Sequence, residues 1–210
     1  MKALVRRSII LIVSAILASL SAENTFGQVA KVDADKPDFD DIPSPEFSGG
    51  KQKNFKAKEW LEMEIKVKVS LTPKPPSETC EKLMVKWYVL VENPDKGGTY
   101  LLLTKDIEHV NVPLNEDVYC SVYLSPASVK RLTGADRAVK RVVEVVGYEV
   151  LINGAKVASG TSKYGDGWWN ASSPKMKISR SDAVPLLNKS ETPFGVMWWD
   201  RYAEVAVERR

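Results

Sequence analysis

The sequence is poor in the groups that most enzymes depend on. It has one histidine, His109, and two cysteines, Cys80 and Cys120. A Ser-His-Asp triad would have to use His109, and its neighbours Glu108, Val110 and Asn111 carry no nucleophile signature. GxSxG, GxGxxG and GxxxxGK[ST] are all absent, which removes the elbow-type hydrolases and the glycine-rich nucleotide cradles. There is no CxxC and no zinc-ligand set of about four Cys, His or carboxylate groups at suitable spacing, so no cofactor or metal is expected. Basic residues alternate with acidic ones and the net charge is only +3, so the concentrated Lys/Arg footprint of a nucleic-acid binder is missing. Paired carboxylates acting as a glycosidase acid and base stay open, because sequence spacing does not fix separation in space.

What is present begins with an export signal. Met1 to Arg7 forms a basic start, and Ser8 to Leu20 an uncharged apolar core. That core is shorter than the roughly 20 residues that span a bilayer, so no stable membrane span is expected once it is removed. Small residues place cleavage between Ala22 and Gln28, giving a signal peptide over 1–27. A pilin-type alternative, with cleavage before the apolar run and retention of an anchor helix, is left open by Ser8 following Arg6-Arg7. Export places Cys80 and Cys120 in an oxidising compartment, where a disulfide is expected. Closing a loop of about 40 residues would stabilise the fold by roughly 4 kcal/mol.

Residues 28–54 carry five aspartates, three prolines and few apolar side chains. That composition predicts a flexible acidic, Pro-rich linker. The aspartates lack EF-hand spacing and its glycine, so a calcium loop is not expected. Residues 55–210 then read as one domain. Leu61, Met63, Ile65, Val67 and Val69 alternate with charged residues, which predicts a half-buried strand with a solvated outer face. Leu83 to Val91 is apolar on both faces, as in a strand deep in a sandwich. Further strands are predicted over Thr99 to Val112, Asp117 to Leu124, Lys140 to Ile152 with a bulge at Gly147, Ala155 to Gly160, Lys175 to Ile178 and Val196 to Val207. Asn153-Gly154 is the clearest hairpin turn. One short helix is signalled by Ser125 as cap, Pro126 at the first position and Gly134 past the end. Eight or nine strands with turns about every ten residues predict an antiparallel β-sandwich.

Two tryptophan pairs, Trp168-Trp169 and Trp198-Trp199, are the candidate interaction surface. In a strand each pair would place one indole inward and one outward. An outward indole offers large contact area at low entropy cost, and sugar rings stack on such faces. Packing inside the sheets is the competing reading for all four.

The leader, WLEMEIKVKV from Trp60, VYCSVYLSP from Val118, SVKRLTG from Ser128, GYEVLINGAKVASG from Gly147 and the ending WWDRYAEVAVE together resemble the secreted pilus-like proteins of Verrucomicrobia. The resemblance covers nearly all of 55–210 and none of the acidic segment. It implies an immunoglobulin-like sandwich similar to the globular domain of archaeal type IV pilins, and an exported, non-enzymatic structural or adhesive role at the cell surface. Its partners would be pilus-assembly or envelope proteins and host glycans, and it carries over no catalytic residues. One departure matters: a pilin polymerises through a long apolar N-terminal helix, whereas the apolar segment here is short and lies in the leader. A carbohydrate-binding module built on the tryptophans is the alternative function.

Overall fold

The structure, a computed structural model, describes residues 28–46, 56–137, 140–170 and 177–207. The expected signal peptide lies outside them. The described strands are β1 (Val29–Ala34), β2 (Asp38–Pro43), β3 (Glu59–Thr72), β4 (Thr79–Glu92), β5 (Thr99–Pro113), β6 (Asp117–Leu124), β7 (Val143–Ile152), β8 (Ala155–Thr161), β9 (Lys177–Arg180), β10 (Leu187–Asn188) and β11 (Glu204–Val205), with one α-helix, α1 (Pro126–Thr133). One sheet runs β1-β3-β6-β10 with β2 also on β3, and the other runs β11-β5-β4-β7-β8 with β9 on β5. All pairings are antiparallel except β5 with β9. The result is an immunoglobulin-like β-sandwich.

Period-two alternation makes the core. Met63, Ile65, Val67 and Val69 of β3 face Val85, Trp87, Val89 and Val91 of β4 and the inward side chains of β6 and β7, all buried in one cluster. β4 is apolar on its other face as well, because Leu90 and Tyr88 are covered there by Trp168, Trp169 and Tyr164. A doubly apolar strand thus needs a loop, not a third sheet, on its outer side.

The expected linker is the largest correction. Residues 29–43 form β1 and β2, which lie end to end along one edge of β3, Val29 opposite Thr72 through Ala34 opposite Val67, then Asp38 opposite Glu64 through Pro43 opposite Glu59. An edge strand fills its backbone bonds on one side and needs few buried side chains, so Val32, with half-buried Phe39 and Ala34, suffices. Pro37 falls in the break between the strands, where no ladder donor is needed. The acidic groups are balanced by Lys66 on Asp35 and Lys140 on Asp40. The rest of the linker region, 47–54, lies outside the described residues.

α1 forms as its caps require. Ser125 Oγ accepts from Ser128 N, and Gly134 takes the left-handed conformation while its N–H donates to Lys130 O. At the β7–β8 hairpin Asn153 (φ 52) and Gly154 (φ 77) both have positive φ, as a type I′ turn demands. Gly147 is not a bulge; the register shifts fall at Leu90/Val91 and Val150/Leu151. It leaves room instead, since a Cβ there would sit 2.5 Å from Trp169 Cζ3.

The expected Cys80–Cys120 disulfide is not formed. Both thiols are free and buried. Cys80 stands on β4 and Cys120 on β6, in opposite sheets, and Cys80 Sγ donates to Lys82 O on its own strand. Burial pushes both thiols up, that of Cys120 to about 12, which removes the thiolate that exchange chemistry requires.

Candidate functional site

The four tryptophans separate into two unlike pairs. Trp168 and Trp169 lie in a 3₁₀ turn, Trp168–Asn170, and not in a strand, so both indoles turn the same way, onto the outer face of the β4 sheet. Trp169 stacks on Tyr88 at 4.4 Å and 3°, and Trp168 meets Trp169 edge-on at 5.6 Å. Both are buried, so this pair is core and drops out as an interaction surface. Trp198 and Trp199 are 47 % and 74 % exposed.

The predicted final strand over Val196 to Val207 is replaced by a crossing segment. A 3₁₀ turn, Pro193–Val196, leads to Trp198, whose φ of 53 breaks any strand. A bulky residue in the left-handed region is strained. The bend lays Trp198 over Phe194 (6.3 Å, 10°). The chain then follows β6, with Tyr119 N donating to Arg201 O and Ala203 N to Tyr119 O, before Glu204 and Val205 pair with Val110 and His109 of β5. One segment therefore covers one edge of each sheet, along β6 and along β5.

Beneath it, the Glu62–Glu64 end of the outer face of β3 is covered, whereas Lys66 and Lys68 keep the exposure that the alternation suggested. Tyr123 Oη donates to Glu62 Oε1 at 2.6 Å. Tyr202 Oη sits between two carboxylates, 3.0 Å from Glu62 Oε1 and 2.9 Å from Glu64 Oε2. Arg201 Nη2 donates to Glu64 Oε1 at 2.7 Å while its guanidinium lies 3.6 Å from the Tyr119 ring centre. Burial raises the Glu62 carboxyl above the ordinary range, against the two tyrosine hydroxyls that lower it. Lys189 is buried, donates to Met197 O and stands 4.8 Å from the Tyr202 ring centre. Burial lowers its ammonium. These contacts hold the crossing segment.

Sequence reasoning missed Tyr202, Arg201, Lys189 and the Glu62–Glu64 pair. The available signal was Tyr119 and Tyr123 at a spacing of four on β6, opposite Lys66 and Glu62, which puts both rings on the face read as solvent. His109 is buried and neutral. Its Nδ1–H donates to Ala203 O at 3.2 Å, and burial lowers its pKa to about 4, so it serves packing of the crossing segment. Among the described residues, no group of three His, Cys, Asp or Glu could hold a metal, and no helix is long and apolar enough to cross a membrane.

A protein-family model matches residues 23–209 of the chain. Among solved structures, a crystal structure of a protein from Akkermansia muciniphila superimposes with a TM-score of 0.82 at 38 % identity, covering 87 % of this chain and 96 % of that one. A search of curated proteins finds no match. The chain belongs to this verrucomicrobial pilus-like family.

Proposed function

We propose that this member of the verrucomicrobial pilus-like family is an exported, non-enzymatic structural module that works with a type IV pilus-like system at the cell envelope. The observation that carries the reading is the match to the Akkermansia muciniphila structure over nearly the whole length of both chains. Two features support it. One crossing segment covers an edge of each sheet, bonding to β6 and pairing with β5, and so ties the two sheets together. Arg201 and Tyr202 of the crossing segment are engaged in packing it against Glu62 and Glu64. Its partners are pilus-assembly or envelope proteins. Fractionated cells test this: the protein is expected in sheared pili or the envelope fraction, with an intact mass that lacks the first twenty-odd residues. Recovery in the cytoplasm with the leader intact, or pili of normal number and composition without it, would sink the proposal.

A second reading is glycan binding, and the exposure of Trp198 and Trp199 favours it. Trp168 and Trp169, being buried, do not contribute. A glycan array on the purified protein tests this reading, and a signal no higher than that of buffer would remove it.

A further inference from the structure

Trp199 is held for contact, and its role as a ligand face rests on the glycan reading. Its indole N–H donates to Val196 O at 2.8 Å. That bond fixes the ring and uses its one polar group, so the indole offers a ligand its π face. The adjacent backbone is strained at Trp198, and the same bend carries Trp199 into solvent. A preformed, outward aromatic next to a backbone outlier is where binding is to be sought.

The groove beside Trp199 defines the ligand. It is also lined by Lys189, Ser190, Tyr202 and Glu204. The protein's own cations already sit over the tyrosines, Lys189 on Tyr202 and Arg201 on Tyr119, which leaves the Trp199 face as the open one. Among the described residues, Lys189 Nζ donates to Met197 O, although an ammonium has three donors. Among the described residues, the Glu204 carboxylate takes only a long contact of 3.5 Å from Asn111 Nδ2. One groove thus holds a cationic donor and an anionic acceptor, both with capacity to spare. A cationic ligand would meet Lys189, and an anionic one would meet Glu204 and the exposed Asp200. A neutral vicinal diol meets both needs, accepting from the ammonium and donating to the carboxylate, while the C–H face of its ring lies on the indole. We infer that the Trp199 groove binds a neutral hexopyranose terminus of a glycan and disfavours sialylated or sulfated termini.

Calorimetric titration of the full chain with neutral oligosaccharides, their sialylated forms and a proline-rich peptide tests the inference. Neutral sugars are expected to bind. Trp199→Ala should weaken them at least tenfold with an unchanged melting temperature, Trp199→Phe should restore part of the loss, and Glu204→Gln should weaken binding severalfold. Equal binding by Trp199→Ala, or a preference for sialylated ligands, overturns the groove assignment while leaving the glycan reading in place. Binding of the peptide alone, or of nothing, overturns both.

Discussion

Gly147→Ala should destabilise the protein although it adds one methyl group to a strand. The new Cβ would lie 2.5 Å from Trp169 Cζ3, 2.8 Å from Trp169 Cε3 and 3.0 Å from Trp168 Nε1, whereas carbon contacts settle at about 3.5–4.0 Å. The ring must therefore move by about 1 Å. It has nowhere easy to go, being stacked on Tyr88 and set edge-on to Trp168. Overpacking of this kind costs about 1–3 kcal/mol, and disturbing the Tyr88 stack adds roughly 0.5–1.5 kcal/mol. Loss of glycine's unfolded-state freedom returns about 0.4–1 kcal/mol. The net expectation is a loss of about 2 kcal/mol, or about 4–8 °C in melting temperature for a chain of this size. Urea unfolding followed by tryptophan fluorescence, with an unchanged m-value, measures it. In a Trp169→Ala background the alanine at 147 should cost much less, because the two closest clashes have gone and only the 3.0 Å approach to Trp168 Nε1 remains. A Gly147→Ala protein as stable as the parent would refute the packing account.

Other consequences are equally accessible to measurement. His109 has its pKa lowered to about 4 from an ordinary 6.5, so its contribution is present above pH 6.5 and is lost as pH falls toward 4, by about 3 kcal/mol in all; denaturant melts at pH 7 and pH 4 should show this loss shrink in His109→Gln. Glu62 is shifted the other way, so the unfolded chain ionises first and stability falls as pH rises through the carboxylate range; Glu62→Gln should flatten that limb, and an unchanged pH profile would contradict the burial of this carboxyl. Tyr202→Phe removes the hydroxyl between Glu62 and Glu64 and should cost about 1–3 kcal/mol in the same melts. Thiol titration of the native protein should be silent and should report two groups only after unfolding, since both cysteines are free and buried; an intact mass two hydrogens lighter than the reduced chain would indicate a bridge instead.

Much of the fold is written in local patterns that tertiary context does not override. Strands β3 to β7 fall where period two and β-branched runs place them, and α1 starts and stops on residues whose side chains and φ values its ends require. Composition misleads at the acidic N-terminal segment because it measures how much surface a segment buries alone, whereas β1 and β2 borrow a finished partner. Their bonds go to the edge of β3, and a few half-buried side chains then suffice. The failure at Val196 to Val207 has a different cause: the alternation runs on through Trp198, where positive φ ends the strand.

The candidate site is legible in the sequence only as tryptophans, and half of those are misplaced by an inside-outside rule that holds for strands and not for a 3₁₀ turn. What separates the pairs is room on the sheet beneath. Gly147 leaves a space beside Tyr88 that Trp169 fills, so the first pair is drawn in. Under the second pair, Phe194 is already stacked on Tyr123 and takes Trp198 on its outer side, which leaves Trp198 about half exposed and Trp199 more so. The same crossing segment ties Tyr202 to Glu62 and Glu64 and pairs with both sheets. The exposed Trp199 is therefore mounted on a stretch that is bonded to β6 and β5 together.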